Sequence, residues 1–241
     1  MKEKTERNGN GFMVLPEEIA KAIEDGKIRQ TRELVTQAVA EGCSAGEILN
    51  GGLLPGLKAV GRRFSRNNGM VSDMLASSRA LNEGIEILRP MLVPRDGRFI
   101  GKACIGTVQG DLHDVGKNVV GLLLESRGIE VLDLGVDVEP GAFVRAVEEE
   151  HCELVCCSAL LSSTAPGMKK VVDALKVAGL RDRVLVMVGG VPVNAGFCRR
   201  IGADIYTADA FAAAEKAEEA LLTRKKQREA AKDQALKEAE Q

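Results

Sequence analysis

The sequence predicts an α + α/β fold, in which an N-terminal helical bundle is followed by a parallel α/β domain. Apolar residues recur at helical spacing from residue 16 to about residue 93. From Lys102 onward, short apolar runs alternate with amphipathic segments, which is typical of a parallel sheet covered by helices. A length of 241 residues suits two domains of this kind.

Four or five helices are expected in the bundle, at residues 15–93. Their apolar residues include Ile19, Ile23, Leu34, Val35, Leu53, Leu57, Leu81 and Leu88. Turns are predicted at Glu41-Gly42, Gly51-Gly52 and Asn67-Asn68-Gly69, since glycine and asparagine punctuate helical patterns. A linker is predicted from Pro90 to Gly97, which contains two prolines and an Asp-Gly pair.

Five strands alternate with five helices in the second domain, at residues 98–221. The predicted strands are Lys102–Val108, Glu130–Leu134, Leu154–Ser158, Val184–Val188 and Asp204–Thr207. The predicted helices are Gly116–Arg127, Pro140–Glu150, Pro166–Ala178, Asn194–Ile201 and a segment from Ala210 onward. Residues 1–14 are polar and expected to be disordered. Residues 222–241 are expected to form a charged, solvated helical tail.

The charge balance gives no attraction toward nucleic acid or anionic membranes, because 33 basic residues meet 35 acidic ones. The polar amino terminus has no apolar core for a signal peptide, and no apolar run approaches membrane-spanning length. We therefore expect a cytoplasmic protein with neither nucleic acid nor a membrane as its partner.

The six cysteines are expected to be reduced thiols, since no C-x-x-C pair occurs. His151, Cys152, Cys156 and Cys157 suggest a zinc cluster. However, four residues of a strand span roughly 13 Å, which is too far for Cys152 and Cys156 to share one tetrahedral ion easily. Structural zinc is therefore disfavoured.

The most informative segment is the loop Gly110 to Gly116, which follows the first predicted strand and precedes a helix. A loop at the carboxyl end of a strand is where α/β folds bind ligands. His113 in this loop can offer an imidazole nitrogen to a metal, while Asp111 accepts the proton of the other ring nitrogen.

The loop does not match either of two common nucleotide-binding motifs. A P-loop requires glycine five residues before Gly116 and Ser or Thr after Lys117, where this chain has Asp111 and Asn118. The dinucleotide fingerprint G-x-G-x-x-G is absent too. A purely structural interpretation, with Asp114 as a helix N-cap and His113 as an ordinary loop residue, stays open on the loop alone.

Three motifs in register give the chain a family resemblance. Asp111-x-His113-x-x-Gly116 is followed after 41 residues by Ser158-Ala159-Leu160, and after 28 more by Gly189-Gly190. This pattern resembles the cobalamin-binding domains of corrinoid-dependent methyltransferases. With the helical segment upstream, the chain is similar over roughly residues 15 to 215 to the cap and cobalamin-binding domains of cobalamin-dependent methionine synthase. The resemblance implies a flavodoxin-like sheet with strand order 2-1-3-4-5.

The resemblance also implies a role for each motif. His113 corresponds to the lower axial ligand of cobalt, which replaces the cofactor's own benzimidazole, and Asp111 to the carboxylate behind it. Further cofactor-binding residues are implied at Gly110, Leu112, Asp114, Gly116, Ser158, Leu160, Gly189 and Gly190. A hydroxyl near Ser162 or Thr164 is expected to complete the relay, with Thr164 as the candidate. The helical domain is expected to shield the upper face of cobalt through Met70, although Met70-Val71-Ser72-Asp73 departs from the family's F-L-P-E/Q.

The implied function is that of a corrinoid methyl carrier that binds cobalamin with its base released and histidine coordinated. It would take a methyl group from a substrate-specific methyltransferase and pass it to a second one that uses tetrahydrofolate or coenzyme M, with a reductive activase as a further partner. It is uncertain whether such a subunit counts as an enzyme on its own, because no region of TIM-barrel size remains. The methyl donor is not indicated.

Two alternatives remain at this stage. A cobalamin-dependent sensor would use a similar helical segment, but the sequence contains no helix-turn-helix, basic patch or kinase motif. A cobalamin subunit of a mutase is disfavoured by the helical segment that precedes the binding domain.

Overall fold

The computed structural model describes residues 16–65, 71–92 and 99–239. The chain divides into two compact units, Met1–Met91 and Leu92–Gln241. Among the described residues, no helix is both long enough and apolar enough to cross a membrane. The predicted turn at Asn67-Asn68-Gly69, the predicted shielding residue Met70 and residues 1–14 lie outside the described residues.

The first unit consists of helices. They are α1 (Pro16–Glu24), α2 (Ile28–Ala40), α3 (Ala45–Ile48), α4 (Leu54–Ser65) and α5 (Val71–Leu92), and a π-helical turn, Leu49–Leu53, joins α3 to α4. The residues at helical spacing form its core, with Ile19, Ile23, Val35 and Leu53 buried. Burial of such an apolar stripe is the main source of stability for helices of this length. The predicted helical region is confirmed.

The predicted turn at Gly51-Gly52 is wrong, because both residues lie in the π-helical turn between α3 and α4. Their small size serves close packing. A Cβ atom on Gly51 would lie 2.8 Å from Pro16 Cβ, and one on Gly52 would lie 2.9 Å from Ile19 Cβ. The pair of glycines therefore lets this turn approach α1 instead of reversing the chain.

The start of the linker was predicted too early, because Pro90 lies within α5 and this helix ends at Leu92. Proline removes one helical hydrogen bond, but Pro90 is only two residues from the end of α5 at Leu92, where little helix follows it. Residues 93–97 of the predicted linker fall outside the described residues.

The second unit is a parallel sheet with helices between successive strands. The strands are β1 (Gly101–Thr107), β2 (Ile129–Asp133), β3 (Leu154–Ser158), β4 (Leu185–Gly189) and β5 (Ile205–Tyr206). The helices are α6 (Val115–Ser126), α7 (Pro140–Glu148), α8 (Gly167–Val177), α9 (Ala195–Ile201) and α10 (Ala210–Ala239). All pairings are parallel and the strand order is 2-1-3-4-5, which confirms the predicted fold class.

The strand register brings the three motifs to one edge of the sheet. Thr107 at the end of β1 pairs with Ser158 at the end of β3, and Ser158 pairs with Gly189 at the end of β4. The strand order reverses between β1 and β3, and such a switch point leaves a crevice outside the carboxyl ends of the strands. The loop that carries His113 leaves β1 at this crevice.

The C-terminal tail continues the last helix of the α/β unit. Helix α10 continues without a break through residues 222–239. Leu221 is buried, Arg224 donates a hydrogen bond to the Asp182 carbonyl, and Arg228 pairs with Glu153. The predicted charged helical tail is thus a continuation of α10, with residues 222, 223 and 225–231 exposed and with Arg224 and Arg228 in contact with the rest of the α/β unit.

Candidate functional site

The loop after β1 is held by a tight turn at Gly110, whose φ of +85° favours glycine. The Gly110 amide donates to Asp137 Oδ1 over 2.7 Å, and the Asp137 amide donates to the Asp111 carbonyl over 3.0 Å. These bonds turn Asp111 inward, where it is fully buried, while the His113 side chain stays 51 % exposed. The loop thus presents an imidazole to the crevice above a buried carboxylate.

The carboxylate of Asp111 fixes the orientation of the imidazole. Asp111 Oδ1 lies 2.6 Å from His113 Nδ1 and accepts a hydrogen bond from the His113 amide over 3.1 Å. Because Nδ1 faces the carboxylate, Nε2 is the ring nitrogen left to bind a metal. A carboxylate in this position selects the tautomer and raises the basicity of a ligating imidazole.

The second carboxylate oxygen of Asp111 is held by the loop that follows β3. Asp111 Oδ2 accepts hydrogen bonds from Thr164 Oγ1 over 2.6 Å and from the amides of Leu160 and Leu161 over 2.8 and 3.3 Å. Burial raises the pKa of the Asp111 carboxyl. The hydrogen bonds from Thr164, His113 and Leu160 outweigh burial and hold this pKa well below its usual range.

Of the two hydroxyls predicted for the relay, Thr164 is the one that the structure brings to Asp111. Ser162 lies exposed in the same loop. Thr107, which the sequence did not single out, fixes the histidine from the other side, since its Oγ1 donates to the His113 carbonyl over 2.8 Å. A threonine at a strand end is too common for the sequence to reveal this contact.

A cavity of about 340 Å³ opens beside this loop, between the carboxyl ends of the strands and α10. Its walls are largely apolar or small, and include Ile105, Cys156, Met187, Val188, Tyr206 and Ala213. Ser158, which was predicted to contact the cofactor, also lines it, as do Gly116, Gly189 and Gly190. Apolar cavities with few polar groups are the usual form of small-molecule sites.

The two glycines after β4 have different reasons to be glycine. Gly190 has a φ of +131°, and a Cβ on it would lie 1.9 Å from the Ala159 carbonyl oxygen. A Cβ on Gly189 or on Gly116 would meet no protein atom within 4 Å, although both residues line the cavity. Gly190 is therefore required by the backbone, whereas Gly189 and Gly116 leave open a space that side chains would fill. The cavity therefore has room for part of a bound ligand beside these two glycines.

The remaining predicted site residues lie around the same loop. Leu112 is 71 % exposed, Asp114 stands at the N-cap of α6, and Leu160 is part-exposed beside the Asp111 contacts. Lys117, which the sequence did not mark as a site residue, is buried in the cavity wall and ion-paired with Asp133. No local sequence signal marks this pair, because a lysine in the first turns of a helix is normally exposed.

Comparison with protein families gives two matches, both described as "B12 binding domain". One covers residues 101–221 and the other covers residues 15–89. The first spans the whole sheet and the candidate site, and the second spans the helical unit.

Similar proteins of known description agree with these matches. The trimethylamine corrinoid protein of Methanosarcina barkeri is 36% identical over 202 residues, which are 83% of this chain and 93% of that protein. The solved monomethylamine corrinoid protein of Methanosarcina barkeri superposes with a TM-score of 0.74 at 32% identity, over 84% of this chain and 96% of that one. A methanol:cobalamin methyltransferase complex from the same organism matches with a TM-score of 0.50 at 28% identity, over 86% of this chain and 79% of that chain.

Proposed function

Since the chain belongs to the B12-binding family of corrinoid proteins, we propose that it carries methyl groups between two methyltransferases. In this proposal His113 is the lower ligand of cobalt. The observation that carries this proposal is the orientation of His113, whose Nδ1 is fixed on buried Asp111 while Nε2 is left for the metal. Bound cobalamin supplies a cobalt centre that accepts a methyl group from one molecule and releases it to another.

The cavity at the carboxyl ends of the strands supports binding of cobalamin with its own base displaced. Once histidine takes the lower position, the nucleotide tail of the cofactor needs another place. The cavity of about 340 Å³, with room left by Gly116 and Gly189, is a suitable one. Ser158 at the end of β3 offers a hydroxyl there for a ring nitrogen of the tail.

The loops that follow β1, β3 and β4 expose large apolar side chains, which suit the macrocycle of a corrinoid. Leu112 is 71 % and Val191 is 81 % exposed, and Leu160 and Leu161 are part-exposed in the loop that contacts Asp111. Large apolar side chains in a cluster on a surface mark a binding site. A flat, largely apolar ring laid over them would bury them and keep water from the ligand nitrogen.

Asp111 and Thr164 control the proton on the ligand. The carboxylate is held ionised by its hydrogen bonds, so it accepts a hydrogen bond from the Nδ1–H group and leaves Nε2 free. This hydrogen bond fixes the tautomer in which Nε2 has a lone pair for the metal, as is usual for a carboxylate behind a ligating histidine.

The partners of the relatives suggest those of this chain. Since one solved relative is a methanol:cobalamin methyltransferase complex, we expect a substrate-specific methyltransferase as methyl donor partner. A second methyltransferase would use tetrahydrofolate or coenzyme M, and a reductive activase would restore reduced cobalt. The relatives named for trimethylamine and dimethylamine make methylamines the first donors to test.

Ligation is tested by anaerobic reconstitution with hydroxocobalamin and electron paramagnetic resonance of the cobalt(II) form. The chain has two histidines, so His151→Ala is a matched control for His113→Ala. Splitting of the signal by a histidine nitrogen, identified with nitrogen-15 histidine, is expected in the wild type and in His151→Ala, and is expected to be lost in His113→Ala. Histidine splitting that persists in His113→Ala refutes the assignment.

The carrier role is tested with radiolabelled methylamines and their methyltransferase. Label should move to the reduced holoprotein, and leave it when a second methyltransferase is added with coenzyme M or tetrahydrofolate. Label that never reaches the holoprotein contradicts the role with these donors, and methanol is then the next donor to test.

A further inference from the structure

The buried ion pair between Lys117 and Asp133 lies beside the candidate ligand loop. Lys117 is in the first turn of α6, and its side chain is only 3% exposed. Its ammonium group donates to both carboxylate oxygens of Asp133, over 2.7 and 2.6 Å, and to Asn118 Oδ1 over 2.7 Å. An ammonium group has three donors, and all three are used in this way.

Stability is a weak reason for such a pair. Taking a lysine out of water is costly, and apolar replacements of buried ion pairs are often neutral or stabilising, whereas removal of one partner that leaves a buried charge is destabilising. Asp133 is 40 % exposed and can be solvated alone, but Lys117 cannot. Burial of the lysine therefore calls for an explanation beyond the stability of the fold.

Hydrogen bonds lead from this pair to the backbone of the candidate ligand. Asp133 Oδ1 accepts from the Gly135 amide over 2.8 Å, and the Gly135 carbonyl accepts from the Thr107 amide over 3.0 Å. Thr107 Oγ1 then donates to the His113 carbonyl over 2.8 Å. The end of β2 is thus tied through the end of β1 to His113.

A second connection runs along α6. Asn118 Oδ1 accepts a hydrogen bond from Lys117 Nζ, and Asn118 Nδ2 donates to Asp114 Oδ2 over 3.4 Å. Asp114 directly follows His113. Asp114 occupies the N-cap of α6 without a side-chain capping hydrogen bond. An N-cap residue usually secures the first turn by such a bond. Here the Lys117–Asp133 pair ties that turn to β2 instead.

We infer that Lys117 is a positioning residue, which sets the position of His113 for coordination by fastening the start of α6 to the end of β2. The inference rests on the proposed role of His113. Lys117 acts through the backbone of the loop and through Asn118, and its stem also forms part of the cavity wall. Loss of the charge should loosen the loop and leave the packing of the stem in place.

Lys117→Met tests this inference, because methionine keeps an unbranched stem and removes the ammonium group. We expect the ratio of histidine-coordinated to uncoordinated cobalt(II) to fall roughly tenfold, as is common when a partner behind a metal ligand is lost. The melting temperature of the apoprotein should stay the same or rise. Lys216→Met, at an exposed position of α10, is the matched control and should change neither quantity.

Asp133→Asn separates positioning from stability. It leaves the buried ammonium with a neutral partner, so it should lower the melting temperature and also weaken the nitrogen splitting. Equal loss of splitting in Lys117→Met and Asp133→Asn, with different melting temperatures, supports positioning. Splitting that stays at the wild-type level in Lys117→Met, or that follows the melting temperature across both variants, overturns the inference. Absence of splitting in the wild type overturns it together with the proposed function.

Discussion

A single methyl group added at Gly189 should weaken cobalamin binding and leave the fold intact. Gly189 ends β4 and lines the cavity of about 340 Å³, and a Cβ there would meet no protein atom within 4 Å. In Gly189→Ala the methyl group therefore enters the space assigned to the nucleotide tail and touches no protein neighbour. Its effect should appear in binding and not in unfolding.

The size of both effects follows from this geometry. One methyl group too many in a filled pocket costs about 1–3 kcal/mol, so affinity for hydroxocobalamin should fall by roughly 10- to 200-fold. Replacing glycine at a backbone conformation that alanine can adopt stabilises by about 0.4–1 kcal/mol, so the free energy of unfolding should stay equal or rise slightly. Titration of the apoprotein followed by absorbance gives the first quantity, and urea denaturation of the apoprotein gives the second.

Gly190→Ala is the matched comparison. At Gly190 the φ is +131°, and an added Cβ would lie 1.9 Å from the Ala159 carbonyl oxygen. Alanine there should therefore introduce about 1–3 kcal/mol of backbone strain and displace the loop that follows β3. This variant should lose stability in the absence of cofactor. Wild-type affinity in a stable Gly189→Ala protein would refute the assignment of the cavity to the tail.

Two further predictions concern the polar network and the helical unit. Thr164→Val removes a hydrogen bond to the Asp111 carboxylate and should lower the free energy of unfolding by about 1.5–3 kcal/mol at pH 7. Because the folded-state pKa of Asp111 is depressed, this contribution is present above pH about 4 and is lost as the pH falls below it. Urea denaturation should therefore give a smaller difference between the variant and the wild type at low pH, and a difference that is constant with pH would contradict the reasoning. Gly52→Ala brings a Cβ within 2.9 Å of Ile19 and should destabilise the protein by about 1–3 kcal/mol. Gly46→Ala is the control, because its Cβ meets no atom within 4 Å and should not destabilise the protein. Equal melting temperatures of the two variants would contradict this prediction.

The layout of the α/β unit could be predicted from the sequence because its parallel strands are buried on both faces. Such strands appear as short apolar runs, and the segment Leu154–Ser158 was predicted with the bounds that the structure has. The prediction of a turn at Gly51-Gly52 is wrong because a pair of glycines in the sequence is compatible both with a turn and with a close contact between helices. The difference lies in Pro16 and Ile19, which are distant in sequence.

The candidate site was only partly predictable for a similar reason. His113 and Asp111 are two residues apart, so a short motif records their contact. Lys117 in α6 and Asp133 in β2 are 16 residues apart, and no local sequence pattern predicts their ion pair. The choice between Ser162 and Thr164 depends on how the loop after β3 folds over Asp111, which residue types alone do not determine.

Coordination of cobalt by His113 is tested most directly by labelling the protein with nitrogen-15 histidine. The measurement is the electron paramagnetic resonance spectrum of the labelled holoprotein in its cobalt(II) form. Natural nitrogen in the lower ligand splits each cobalt line into a triplet, and nitrogen-15 splits it into a doublet. Coordination by His113 predicts a change from triplet to doublet, since the only nitrogen source altered is histidine. A triplet that survives the labelling would mean that the cofactor keeps its own base, and would contradict the account.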